Sequence, residues 1–224
     1  MRMPVQQQPS ARLQSRAYQE LRRLIATSEF PAGTFLSERQ LAARLGMSKT
    51  PVHVALERLE AEGFVTISAQ QGVVVRGMTV EDILDHYELR EAIESWTVAR
   101  LAGRLKPEQA GGLEKNLAAQ FEALETGDLG ELMRLDQEMH FLLSSFLGNR
   151  EILSTMERLR DKIQQVITRV TDSDESRPAE ATREHAAIIR AILDGDSGAA
   201  SRLMTEHLEA GKRRILNPSR PGSG

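Results

Sequence analysis

The chain has 224 residues, 40% hydrophobic and 27% charged, with a formal net charge of −3 at pH 7. That length suits two modest domains, and the apolar content can build real cores, which excludes global disorder. Cysteine is absent, so disulfides and thiolate metal sites are excluded, and a reducing cytoplasm suits the chain. The charge is unevenly spread. Residues 1–77 hold ten Lys/Arg against six acids, a net +4, and the remainder carries −7. A basic N-terminal part joined to an acidic C-terminal part suits a DNA reader coupled to a second domain.

Residues 1–10 are Pro- and Gln-rich and read as a flexible N-terminus. They lack the apolar core of a signal peptide, and no uninterrupted apolar run is long enough to span a membrane. A domain over 11–77 follows. Its first helix, from 11 to about 28, sets Leu13, Ala17, Leu21, Leu24 and Ile25 on one face, and Phe30-Pro31-Ala32-Gly33 breaks it. Two short helices come next, over roughly 37–45 and 48–62. Ser37 is placed to cap the first, Leu41, Ala42 and Leu45 form its apolar face, and Gly46 sits at the turn. Ser48 is placed to cap the second, with Lys49, Thr50 and His53 crowded into its first turns. This is the plan of a helix-turn-helix, in which the start of the second helix enters the major groove. Gly63 ends that helix. Phe64–Ile67 and Val73–Val75 then read as two strands joined across Ala69-Gln70-Gln71-Gly72, a two-stranded wing. The residues placed to reach DNA are Arg39, Arg44, Ser48, Lys49, Thr50 and His53, with Gln71 and Gly72 at the wing tip.

The segment Tyr18 to Val75 resembles the DNA-binding domain of the GntR transcription-factor family. The likeness runs through FPAGTFLSERQLAARLGMSKTPVHVALERLEAEGFV and QQGVVV. The family usually has Arg at the positions of Lys49 and His53. Lys keeps a phosphate contact without the bidentate fork, and a neutral His makes a weaker, pH-sensitive contact. The family's operator preference therefore does not carry over.

Gly77-Met78 is a short link into a domain over 78–216 that reads as helix throughout. The first helix, 79–103, has Ile83, Tyr87, Ile93, Trp96, Thr97, Val98 and Leu101 in periodic positions. Others run from Pro107 to Leu124, from a cap at Asp128 to Leu147, and over 150–170, about 180–193 and about 196–215, with a polar loop at Asp172–Pro178. Six such helices make an antiparallel bundle, and the chain as a whole is mainly α. Residues 217–224 read as a flexible tail.

The chain has five histidines, and three fall on apolar faces of this bundle. Asp136 and His140 share a face of one helix, flanked by Leu132, Leu135, Met139 and Leu143. His185 precedes Ile188, Ile189 and Ile192, and His207 sits among Leu203, Met204 and Leu208. A single inward His usually reads as a hydrogen-bonded core residue. A buried Asp with three buried His costs several kcal/mol unless satisfied, and a divalent ion such as Zn, Ni or Mn satisfies all four. Arg90 projects inward, where it has two readings: a partner for a ligand carboxylate beside the metal, or an i,i+4 pair with Glu94. His86 reads as a surface residue. Arg134, Arg160 and Arg183 either line the pocket or face solvent.

Residues 80–212 resemble the FCD domain, the ligand-binding bundle of the FadR branch of the GntR family. Further marks are Glu88-Leu89-Arg90-Glu91-Ala92-Ile93-Glu94 and Glu184-His185. The resemblance implies metal binding by Asp136, His140, His185 and His207, and a small organic acid as effector near Arg90. The expected protein is a cytoplasmic homodimer on double-stranded operator DNA, with no membrane partner. It is a transcription regulator, in the repressor sense, released by a carboxylate, and not an enzyme. The alternatives are a regulator for which the metal itself is the signal, or a metal-dependent hydrolase. The hydrolase lacks a general base at a motif-like spacing.

Overall fold

The computed structural model describes residues 9–68, 72–170 and 177–216, apart from the side chains of Pro9 and 161–170. The expected tail, the polar loop before Arg177 and the wing-tip residue Gln71 lie outside the described residues. The chain separates into two compact units, Met1–Met78 and Thr79–Gly224.

The first unit has the order α1 (Pro9–Ala26), β1 (Phe35–Leu36), α2 (Glu38–Leu45), α3 (Lys49–Ala61), β2 (Val65–Ser68) and β3 (Gly72–Val75). The first helix begins two residues earlier than its apolar pattern, at Pro9, a residue tolerated in a first turn. Its buried face is Ala17, Tyr18, Leu21, Leu24 and Ile25, while Leu13 stays exposed. These residues pack with Leu41, Val52, Leu56, Leu59 and Phe64 into one core. The wing is part of a three-stranded antiparallel sheet, ordered β1-β3-β2, rather than a lone two-stranded hairpin. Leu36, which directly precedes the helix expected from residue 37, pairs with Val73, and Phe35 pairs with Val74. This added strand supplies partners for the outer edge of β3, which a lone hairpin would leave bare.

Among its described residues the second unit has six helices: α4 (Val80–Leu101), α5 (Pro107–Thr126), α6 (Leu129–Phe146), α7 (Arg150–Val170), α8 (Arg177–Leu193) and α9 (Ser197–Leu216). Thr79 and Asp82 form a capping box on α4, and the Asp128 carboxylate accepts from the Glu131 N–H to start α6. The core joins Tyr87, Val98, Leu113, Met139, Leu143, Ile188, Ile192, Met204 and Leu208. Two placements on α4 differ from the sequence reading. Trp96 stands half-exposed and His86 is buried. The inner face of α4 runs through Tyr87, Glu94, Thr97, Val98 and Leu101, because Arg90 and Glu94 pair inside it. That rotation carries Trp96 outward, where the Arg100 guanidinium lies 5.8 Å from its ring.

Candidate metal centre and nucleic-acid interface

The turn between α2 and α3 is fixed from within the chain. The Ser37 hydroxyl accepts the Gln40 N–H while the Gln40 side chain returns to the Ser37 N–H. Gly46 ends α2 in the left-handed conformation, at φ 62°. Ser48 occupies the cap of α3, but its side chain makes no capping bond. The third helical residue is Pro51, which has no N–H to give. The Ser48 hydroxyl therefore stands at a helix N-terminus, beside exposed Lys49 and Thr50, where an anion is favoured. Arg39 is exposed on α2. Arg44 is held at 2.7 Å by Glu29 and stacks 4.8 Å from the Phe30 ring, an attachment within the unit. His53 Nδ1 lies 2.8 Å from Glu38, and its Nε2 lies 3.5 Å from Glu57. The Glu38 hydrogen bond raises the pKa of His53 above its ordinary 6.5. Gly72 has φ +83°, and a Cβ there would sit 2.8 Å from the Leu36 carbonyl oxygen. Pairing with β1 thus accounts for glycine at this wing position.

In the second unit α6, α8 and α9 bring Asp136, His140, His185 and His207 together, with one ligand atom from each within 4.8 Å of the others. His140, His185 and His207 are buried and Asp136 is partly exposed. His207 Nε2 lies 3.3 Å from both His140 Nε2 and His185 Nε2, and His185 Nε2 lies 3.3 Å from Asp136 Oδ1.

An outer ring of residues decides which nitrogen of each imidazole carries the proton. His140 Nδ1 bonds Glu94, and His207 Nδ1 lies 2.6 Å from Glu184. A carboxylate only accepts, so both Nδ1 atoms donate. His185 Nδ1 lies 2.8 Å from Gln120 Oε1. That amide is oriented by a relay along α5: the Leu135 carbonyl accepts Asn116 Nδ2 at 3.1 Å, and Asn116 Oδ1 accepts Gln120 Nε2 at 2.8 Å. Gln120 is left with only its oxygen facing the ring, so His185 also donates from Nδ1. Burial drives the pKa of His185 well below its ordinary range, with the neighbouring His207 adding to the effect. Burial lowers that of His207 too, against the Glu184 hydrogen bond. With Nδ1 the donor on each ring, the three Nε2 atoms turn toward one another and toward a carboxylate oxygen, and as neutral imidazoles they would offer lone pairs there. Such a donor set fits a divalent cation, and the outer bonds are of the kind that orient metal-binding imidazoles.

The outer carboxylates are themselves balanced. Burial works to raise the pKa of Glu94, but Arg90, at 2.6 Å, and His140 bring it down to about 2. Glu184 also falls to about 2 against burial, through hydrogen bonds from His207 and Arg177. Of the two sequence readings of Arg90, the structure contains the i,i+4 pair with Glu94. Arg90 also lines a cavity of about 160 Å³ together with Asp136 and the three histidines. Arg134 is spent on Glu131 and Glu138 in solvent, and Arg183 is exposed. Arg160 borders a smaller recess beside Arg90 and Asp136. Arg177 and Arg214, which sequence reasoning passed over, line the main cavity. Gln120 and Asn116 were also missed. Their signal is spacing: they share the inward face of α5 with Leu113 and Ala123, two amides in an apolar stripe.

Comparison with known proteins gives two family matches. Residues 13–75 match the "Bacterial regulatory proteins, gntR family" pattern, and residues 85–210 match the FCD domain. The HTH-type transcriptional repressor RspR of Escherichia coli K12 is 30% identical over 210 residues, covering 93% of this chain and 91% of that protein. The Nta operon transcriptional regulator of Aminobacter aminovorans is 35% identical over 134 residues, covering 60% of this chain and 63% of its own length. Among solved structures, E. coli McbR/YncC superposes with a TM-score of 0.79 at 18% identity, covering 92% of this chain and 97% of that one. A putative GntR regulator from Rhodococcus sp. RHA1 superposes with a TM-score of 0.77 at 24% identity, covering 92% and 99%. Both share the fold.

Proposed function

From the premise that the chain belongs to the GntR family and is a DNA-binding transcription regulator with an FCD domain, we propose a FadR-type repressor switched at the Asp136/His140/His185/His207 pocket. The observation that carries this is the convergence of three Nε2 lone pairs and a carboxylate oxygen, each imidazole fixed from behind. These four residues would hold a divalent ion, Zn, Ni or Mn. When bound, it supplies a Lewis-acidic position for an anionic ligand. Arg90 receives the carboxylate of a small organic acid beside it. On the DNA side, Arg39, Ser48, Lys49, Thr50, His53 and the wing-tip Gln71 meet phosphates and base edges, with Arg44 and Gly72 closer to framework roles. A homodimer would present two such heads to a pseudo-palindromic duplex in the cytoplasm. The ligand acts on DNA affinity only if it binds the two arrangements of the protein unequally.

The repressor sense is supported by the names of two relatives, RspR and a probable D-xylose utilization operon repressor of Paenarthrobacter nicotinovorans. A hydrolase is disfavoured by the lining of the cavity. Among the described residues around it, Asp136 is the only carboxylate. Glu94 and Glu184, behind it, are committed to His and Arg partners.

The test uses the full chain and duplexes it selects from a random pool. Loaded with zinc, it should lose at least fivefold in DNA affinity on addition of the right member of a panel of small mono- and dicarboxylates, the lower end of ordinary allosteric coupling. Arg90→Lys, which keeps the charge opposite Glu94 and loses the planar fork, should respond more weakly. If chelation alone releases DNA and no acid matters, the metal is the signal. If neither changes DNA affinity, the pocket is not the switch.

A further inference from the structure

Tyr87 is 6% exposed and lines the cavity, yet no partner for its hydroxyl is seen among the described residues. A buried phenol of this kind normally finds a hydrogen-bond partner. The chain makes room for it: a Cβ at Gly211 of α9 would lie 3.1 Å from the Tyr87 hydroxyl and 3.4 Å from the ring. Glycine within a helix is destabilising relative to alanine, so this space is held open against local preference. Arg90, one turn on along α4, has its guanidinium 5.7 Å from the Tyr87 ring. Both border the cavity together with Asp136.

The rest of the lining is mostly apolar, through Leu132, Met133, Pro178, Ala181, Leu208 and Ile215. Its other polar groups are largely spent. The Thr182 hydroxyl donates to the Pro178 carbonyl at 3.0 Å, and Arg177 is held by Glu184 at 2.7 Å. The volume, about 160 Å³, matches that of an engineered apolar cavity that takes up benzene. The cavity therefore has a polar end at Asp136, Arg90 and Tyr87 and an apolar body.

We propose that the ligand is a monocarboxylate with an apolar body of about phenyl size, and that the Tyr87 hydroxyl donates to its carboxylate beside Arg90. This rests on the carboxylate reading above and narrows it. A dicarboxylate would bring a second charge against mostly apolar walls, at a desolvation cost.

The test is calorimetric titration of the zinc-loaded full chain with phenylacetate and with succinate. Phenylacetate should bind at least tenfold more tightly. Tyr87→Phe should lose about tenfold in phenylacetate affinity, the usual worth of one hydrogen bond to a charged group, with zinc uptake and thermal midpoint as in the wild type. Gly211→Ala, which crowds the phenol, should lose affinity in the same direction. Succinate binding as tightly as phenylacetate, or an unchanged Tyr87→Phe, overturns the proposal and leaves the carboxylate reading standing. If the wild type binds neither acid, the proposal falls, and the panel of acids above decides the carboxylate reading by itself.

Discussion

Glu38 meets His53 in water, with side chains 32% and 50% exposed, whereas Glu94 meets His140 where they are 2% and 6% exposed. The same two residue types do different work in the two units. On α2 and α3 the pair is screened, adds little stability, and leaves the imidazole free to exchange partners when an anionic surface arrives. In the helical bundle the pair is locked, and its purpose is directional: it fixes the proton on Nδ1 and turns Nε2 inward. A surface that reads DNA tolerates loose polar groups because water satisfies them in the interim. A buried pocket cannot, so each of its three imidazoles takes a second, fixed partner from behind.

The sharpest way to break this contrast is to remove one member of the buried ring. Glu94→Gln leaves the Arg90 guanidinium without its counter-charge and should destabilise the bundle by about 3–5 kcal/mol, measured by urea unfolding. A loss below 1 kcal/mol would mean that water reaches the pair. Gln120→Leu leaves the four converging groups in place and removes only the acceptor behind His185. Zinc affinity should fall about 10- to 100-fold in a competition assay with a chelating dye, and wild-type affinity would show that the relay along α5 is idle. In the other unit, Gly72→Ala should destabilise the winged domain by at least about 1–2 kcal/mol, because of its positive φ and the Leu36 carbonyl. Zinc uptake should be untouched. The smallest effect concerns pH. The folded-state pKa of His53 is raised, so its pair with Glu38 contributes below the ordinary value of 6.5 and is lost as pH rises through the raised one. DNA affinity should fall by a few-fold across that window as the imidazolium near Glu38 and Glu57 loses its charge. His53→Gln should flatten the profile, and an unaltered profile in that variant would place the titrating group elsewhere.

The two regions were unequally legible. The helix-turn-helix is a local motif, and its caps, turn and recognition helix lie within a few residues of one another. Ser37, Gly46 and the start of α3 follow from short-range chemistry. What escaped there was one long-range feature, the strand Phe35–Leu36, which exists only because β3 returns beside it, and one local one, the idle cap at Ser48, which needed Pro51 to be counted. In the bundle, the inward Asp and His could be found from apolar periodicity. The partners behind them could not, because Gln120 and Glu184 reach His185 and His207 across 65 and 23 residues of sequence. Helical periodicity also favoured Ile93 and Trp96 as inner residues of α4. The structure turns Glu94 inward instead, and a carboxylate becomes a core residue once Arg90 and His140 surround it.

The central claim is that the converging imidazoles are a metal site rather than a self-contained hydrogen-bonded core. Elemental analysis of the full chain, loaded in turn with zinc, nickel and manganese and then dialysed, tests it most directly. The account predicts one tightly held ion per chain for at least one of these metals, lost in His185→Ala. A wild-type protein that retains none of the three, or a His185→Ala variant that retains a full equivalent, would contradict it.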